Sequence, residues 1–313
     1  MRLCINWLPR RPDLTRAVAR RAEELGIWGL GIGDSPNYGE LYAACADALG
    51  ETSSLVVATS VTNPVTRHWS IHAGAARTFA AAYPGRFRLG VGRGDSAVHT
   101  FGLPPATLRT LEEFLTTFGE AVPDIPTLVA ASGLRTAGMA GRSCDGIIAG
   151  VGADPVALGA ITEAADCTRA PDRARAVVWA SVRLAVGRDE AEIQRLRQAL
   201  TPRAVSASHF AFAATFEGKN VPDEFQPILA QRYRHYDYAA HGVAGKTSNA
   251  ALFSDRPDIE EYLLNRFAVV GSPTTCRERL EQLSRHVDGI YVSVIFEDVL
   301  GQLDAIAEML EQP

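Results

Sequence analysis

Short apolar runs recur along the chain at Leu3–Leu8, Trp28–Ile32, Leu55–Thr59, Phe87–Val91, Thr127–Ala131, Gly146–Ala149, Val177–Val186 and Gly289–Ile295. None alternates strictly between apolar and polar positions, and continuous apolar runs of this length belong to strands covered on both faces. Stretches of helical period lie between them. The first carries Leu14, Ala17, Val18, Ala22 and Leu25 on one face, with Asp13 as its N-cap and Gly26 as its stop. Eight strands alternating with helices predict an α/β fold, a (β/α)8 TIM barrel occupying 1–313 as a single domain. One connection breaks the rhythm: the seventh and eighth runs are separated by about a hundred residues, far beyond the usual length of a loop. A helical insertion at about 187–265 is therefore predicted, with helices at Asp189–Leu200 and Pro227–His241. The link Phe118–Pro126 is short by contrast.

Composition narrows the role. Hydrophobic residues make up 47% and charged residues 21% of 313, which is ample material for a core. The net charge of −5 and the lack of a basic run argue against nucleic-acid binding as the main task. No apolar stretch reaches the roughly 20 residues of a membrane helix, and the N-terminus has no signal-peptide pattern. Five scattered cysteines suit buried reduced thiols, and their spacing does not match a zinc site. A cytoplasmic protein without a bound metal is expected.

In this barrel class the reactive groups lie on loops after the C-terminal ends of the strands. Reading those positions collects Asn6 and Trp7, Asp34 and Ser35, Ser60 to His68, Gly92 to His99, Ser132 to Arg135, and Gly150 to Gly152. Gly90, Gly92 and Gly94 before Asp95 let the backbone approach a flat ring or a phosphate closely. They do not spell the dinucleotide G-x-G-x-x-G fingerprint, and glycines can equally be ordinary strand-end turns. Asn63 followed by Pro64 reads as a helix cap with proline at N1, which leaves Thr62, Thr66, Arg67 and His68 to be explained.

The string Ser60–His68, together with Gly85-Arg86-Phe87 and Leu89–Ala97, resembles the luciferase-like flavin and deazaflavin oxidoreductases. Within them it is most similar to the branch of methylenetetrahydromethanopterin reductase and its relatives, which use coenzyme F420. Arg266–Pro273, and Tyr236–Tyr238 through His241 and Gly242, share the likeness. The resemblance implies that Asp34 borders the coenzyme ring, that a bulge with a non-prolyl cis peptide at Ser60-Val61 backs it, and that Asp95 lies near ring and substrate. It implies that Ala131, Ser132 and Gly133 lie near the coenzyme tail, with Thr62, Arg67, Gly92, Gly94 and Gly150 completing the set expected to line the coenzyme. Charge and position add Arg93 and Arg135 as phosphate partners. Ser35 stands where many relatives have histidine, and Trp69 where proline is common. The short fourth-helix link leaves either an open mouth or a wall supplied by the insertion.

The expected chemistry is hydride transfer between the deazaflavin and a small or medium organic substrate, reducing a C=C or C=N bond. Asp34, Asp95, His99 and Tyr38 are the candidate proton donors. His99 reads equally as a surface or capping histidine, and His68 as a structural residue anchoring Asn63 and Arg67. His235 and His241 would be packing or substrate-wall residues on an insertion helix. Trp7 and Tyr38 are either rim aromatics or stacking partners for a planar ligand. The alternatives are an FMN-dependent two-component monooxygenase and a non-catalytic flavin-binding relative. A homodimer is typical of the family.

Overall fold

The computed structural model describes residues 1–35, 37–240 and 247–312. In chain order, β1 (Leu3–Trp7), α1 (Pro12–Glu24), β2 (Gly29–Ile32), α2 (Leu41–Glu51), β3 (Val56–Thr59), α3 (Trp69–Ala82) and β4 (Phe87–Val91) begin the barrel. After β4 come a short α4 (Asp95–His99), α5 (Leu108–Ala121), β5 (Thr127–Ala131), α6 (Leu134–Ser143), β6 (Gly146–Ala149), α7 (Pro155–Asp166) and β7 (Val177–Val186). The long segment that follows holds α8 (Glu190–Phe212), α9 (Gln226–Tyr233), α10 (Pro257–Phe267), β8 (Ala268–Gly271) and α11 (Pro273–Ser284). β9 (Gly289–Ser293) and α12 (Val299–Leu310) complete the chain.

All strand pairs are parallel, and neighbours run β1-β2-β3-β4-β5-β6-β7-β9 and back to β1, which closes an eight-stranded barrel. The eight apolar runs of the sequence are these eight strands. β8 is a ninth that the sequence reading passed over. β7 pairs with β6 at Val177–Ala180, with β9 at Trp179–Arg183 and with β8 at Arg183–Val186. A strand has two edges, so β8 takes over the edge where β6 ends.

Side chains alternate across each strand. Ile5, Trp7, Val57, Leu89, Val129, Ile147, Val182 and Val292 point outward into the layer shared with the helices. Cys4, Leu128, Ile148, Trp179 and Tyr291 point inward and plug the N-terminal end of the barrel. Two or four residues further along the same faces come Asn6, Ser132, Gly150, Arg183 and Ser293. The interior thus changes from bulky and apolar to small and polar as the strands approach their C-terminal ends.

Several local expectations need correction. α1 begins at Pro12 with Arg11 as N-cap, so Asp13 sits in the first turn, where its charge favours the helix dipole. Gly26 has φ +66° and ends the helix as expected. Asn63 caps a turn, accepting from the amides of Val65 and Thr66 (both 2.9 Å), and the helix starts only at Trp69. The insertion helix predicted to end at Leu200 runs on to Phe212 with Pro202 inside it. The one predicted from Pro227 stops at Tyr233, which leaves His235 exposed in a turn. His241 and Gly242 lie outside the described residues.

Candidate active site at the barrel mouth

The loops after β2, β3, β4 and β5 meet on one rim, because the four strands are consecutive neighbours. At its centre stands Asp34, with a side chain only 11% exposed. Its Oδ2 accepts from Thr62 Oγ1 (2.7 Å) and from Arg67 Nη1 (2.5 Å). Arg67 reaches Glu40 with Nη2 at 3.3 Å and lies over the ring of Tyr42, whose hydroxyl meets Nδ1 of buried His72 at 2.5 Å. A polar chain thus runs from the rim into the core. A carboxylate engaged by a guanidinium and a hydroxyl is an acceptor and an anchor, so among the candidate proton donors Asp34 is the least suited.

Beside it the Ser60-Val61 peptide is cis, at the position the resemblance singles out. Ser60 donates to Asn6 Oδ1 (2.6 Å), and Asn6 Nδ2 donates to Ser293 Oγ (3.1 Å), so β3, β1 and β9 are laced together across the floor of the mouth. Gly92 passes so close to Val61 that an added Cβ would lie 2.9 Å from Val61 Cγ2. Gly94 has φ +93°, a conformation that disfavours any side chain. These two glycines are demanded by a close approach to Val61 and by a turn.

The remaining candidates divide. Ala131 turns its side chain into the outer core, and its carbonyl accepts from the Gly150 amide (2.9 Å), which ties β5 to the loop after β6. Ser132 donates to the carbonyl of Phe210 (3.0 Å) and ties the end of β5 to α8. Gly133 is the N-cap of α6 and Arg135 is exposed in its first turn. Arg93 spends Nε on the carbonyl of Ala106 (2.6 Å). Trp7 is 1% exposed and donates to Thr15 Oγ1 (2.9 Å), so it is a core residue and not a stacking platform. Tyr38 packs under Arg10. His68 does not reach Asn63 or Arg67; it caps α3 and meets Ser70 Oγ at 2.8 Å.

Against this rim the insertion supplies a wall. The ring of His99 lies 4.1 Å from that of Tyr238, centroid to centroid. Burial raises the Tyr238 hydroxyl pKa, and the charge of Asp95 adds to it. Tyr236 stacks on His209 at 3.8 Å with ring planes 7° apart. Asp95 and His99 therefore face an aromatic side chain delivered from more than a hundred residues away. The short link Phe118–Pro126 does not bear on this mouth, contrary to expectation, because it enters the N-terminal end of β5, at the other end of the barrel. Arg183, Arg203 and His209 were not singled out by the sequence, and Tyr236 and Tyr238 entered only through the family likeness, with no role at the mouth. The signal was present only for Arg183, a cation inside an apolar run, at the inward parity set by Trp179. Among the described residues no group of three or more metal-ligating side chains occurs, and no helix is long and apolar enough to cross a membrane.

A family model described as luciferase-like monooxygenase matches residues 8–123 and 115–288. The chain belongs to the luciferase-like monooxygenase family and is an oxidoreductase of that class. It is 23% identical over 317 residues to the 5,10-methylenetetrahydromethanopterin reductase of Methanolobus tindarius, with 89% of each chain covered. The structure superposes on a coenzyme F420-dependent tetrahydromethanopterin reductase from Methanopyrus kandleri with a TM-score of 0.75 and 19% identity, over 98% of this chain and 97% of that one. It superposes on an F420-dependent secondary alcohol dehydrogenase, in complex with an F420–acetone adduct, with a TM-score of 0.69 and 16% identity, over 99% and 98%.

Proposed function

We propose that this oxidoreductase uses coenzyme F420 to move a hydride to or from a small or medium organic substrate at the barrel mouth. The observation that carries the reading is the inner face near the strand ends, where small residues adjoin an aspartate locked by Arg67 and Thr62. Asn6, Ser60, Gly92, Ser132, Gly150 and Ser293 fill little of the barrel's upper interior, and a flat tricyclic ring needs such a floor. Ser60, Val61 and Gly92 would back the ring, Asp34 would accept from its polar edge, and the first turn of α6 with Arg135 would take the anionic tail. When bound, the deazaflavin supplies a two-electron hydride donor or acceptor. The chain's own residues hold the substrate against it, exclude water and place one proton.

His99 and Asp95, beside the aromatic wall, are the groups best placed to handle that proton; Asp34 is committed to its ion pair. The reductase and dehydrogenase relatives support the coenzyme assignment, and the family's monooxygenases define the competing one.

Fluorescence titration of the purified chain with F420 and with FMN tests the choice. At least tenfold tighter binding of F420, and no oxygen-dependent turnover with reduced FMN, is the expected result. Tighter binding of FMN with oxygen-dependent product formation overturns it in favour of a two-component monooxygenase. Binding of neither makes the chain a non-catalytic relative.

A further inference from the structure

We propose that Arg183 and Arg203 form a binding site for a carboxylate on the substrate, so that this enzyme acts on an organic acid. The proposal rests on the coenzyme reading above, because it takes the rim from Ser60 to Gly133 as the side that holds the ring.

Arg183 lies on β7, four strands round the barrel from β3 in either direction, and so faces Ser60 across the mouth. It is in register with Ser293 of β9, which is in register with Asn6 of β1. Its level is therefore that of the polar floor, not that of the outer loops. The side chain is partly shielded from solvent and has no hydrogen-bond or ion-pair partner among the described residues. The groups that act on it from neighbouring elements are another cation, Arg203 of α8, and the phenol of Tyr236; no carboxylate is among them. Burial, reinforced by Arg203, lowers the Arg183 pKa to about 10.

Arg203 is only half satisfied. Its Nη2 lies 2.7 Å from Glu297 Oε2, and Glu297 also serves Arg10 at 3.3 Å. Its Nη1 is cut off from water and has no hydrogen-bond partner among the described residues. Two guanidiniums, Arg203 and Arg10, thus share one carboxylate while Arg183 has none, and Arg183 and Arg203 keep donors unused. Desolvated like charges without an acceptor are costly, and a fold retains them where an anion comes to meet them. A planar guanidinium fork matches a carboxylate with two parallel N–H···O bonds. The stacked Tyr236–His209 pair beside it offers an apolar wall for the body of such a molecule. Arg88, the other inward arginine of the barrel strands, shows the contrast. It sits at the N-terminal end and donates to the carbonyls of Gly85 and Phe87 at 2.8 Å each.

Calorimetric titration of the full chain with benzoate, phenyl phosphate and benzamide tests the site, using the natural chain, Arg183→Gln, Arg203→Gln and Arg183→Lys. Benzoate should bind at least tenfold more tightly than benzamide. Arg183→Gln and Arg203→Gln should each abolish that preference, and Arg183→Lys should restore part of it. Equal binding of benzoate and benzamide, or a preference that survives Arg183→Gln, overturns the proposal. A clear preference for phenyl phosphate over benzoate overturns the carboxylate assignment.

Thermal melting provides a readout that does not depend on the shape of the probe. Arg183→Gln should melt higher than the natural chain when no anion is present, because it removes an uncompensated cation; a lower melting point marks a structural arginine and overturns the idea. F420 titration separates the two readings. An affinity unchanged within twofold in Arg183→Gln is expected, and a tenfold loss assigns the arginines to the coenzyme and overturns the proposal. If the natural chain binds no coenzyme while the benzoate preference stands, the coenzyme reading fails and the anion site remains.

Discussion

The two sides of the barrel mouth are built by different means. On the β3–β5 side the chain uses backbone. A cis peptide, a glycine pressed against Val61 and a glycine at φ +93° shape the surface, and one ion pair, Asp34–Arg67, fixes it. On the β7 side it uses side chains. Arg183, Arg203, Tyr236, Tyr238 and His209 converge from one strand, one helix and the segment beyond α9. A backbone-built surface suits a ligand common to a whole family, since it leaves little to mutate. A side-chain-built surface suits a ligand that differs between relatives, since any one position can be exchanged without moving a strand.

The sharpest way to break this contrast is Gly90→Ala. An added Cβ would lie 2.0 Å from the carbonyl oxygen of Thr59, so strands β3 and β4 must separate. A loss of more than about 3 kcal/mol in denaturant unfolding, with coenzyme binding abolished, is expected. Tolerance of the alanine would mean that this side is less rigid than its backbone implies.

Acid should come next. Burial lowers the His72 pKa to about 4, and the charge of Arg67 helps. The unfolded chain therefore binds the extra proton first, and stability is complete above about pH 6.5 and falls as pH drops toward 4, by on the order of 3 kcal/mol. His72 lies beneath the coenzyme rim through Tyr42 and Arg67. Guanidinium titrations at pH 7 and pH 4.5 should show the drop, and His72→Phe should flatten it; an equal slope in both proteins would remove His72 from the account.

Arg67→Ala leaves Asp34 with Thr62 alone. A loss of coenzyme affinity of roughly thirtyfold is expected, about 2 kcal/mol, with substrate-side anion preference retained. Loss of both together would show that the two sides are one unit.

The smallest effect should come from Tyr238→Ala. It removes the ring that faces His99, and a fall of roughly tenfold in kcat/KM with unchanged coenzyme affinity is expected. A weakened coenzyme with normal turnover would reverse the assignment of the two sides.

The same division explains what could be read from the sequence. Each barrel strand shows as an apolar run because both its faces are covered, and the glycine-rich turn and the Ser60–His68 string are local patterns with local causes. Ala268–Gly271 escaped because it follows α10 with no intervening turn residue to mark a boundary. The full length of α8 escaped because Pro202 reads as a stop, although the tertiary contacts of Ala204, Val205 and Phe212 carry the helix past it. Arg183 and Arg203 could not be paired from sequence, because nothing local relates an inward strand position to a helix that folds back over the mouth. Trp7 was misplaced by a single step of strand parity, which exchanges the mouth for the core.

β7 is ten residues long, and its last four pair with β8. The excursion between the seventh and eighth barrel strands is therefore no detachable module, since it returns the ladder that the outer half of β7 requires. Engineers who trim it to a minimal loop, or swap it wholesale with that of a cousin, should expect insoluble material unless the Ala268–Gly271 segment travels with its host strand.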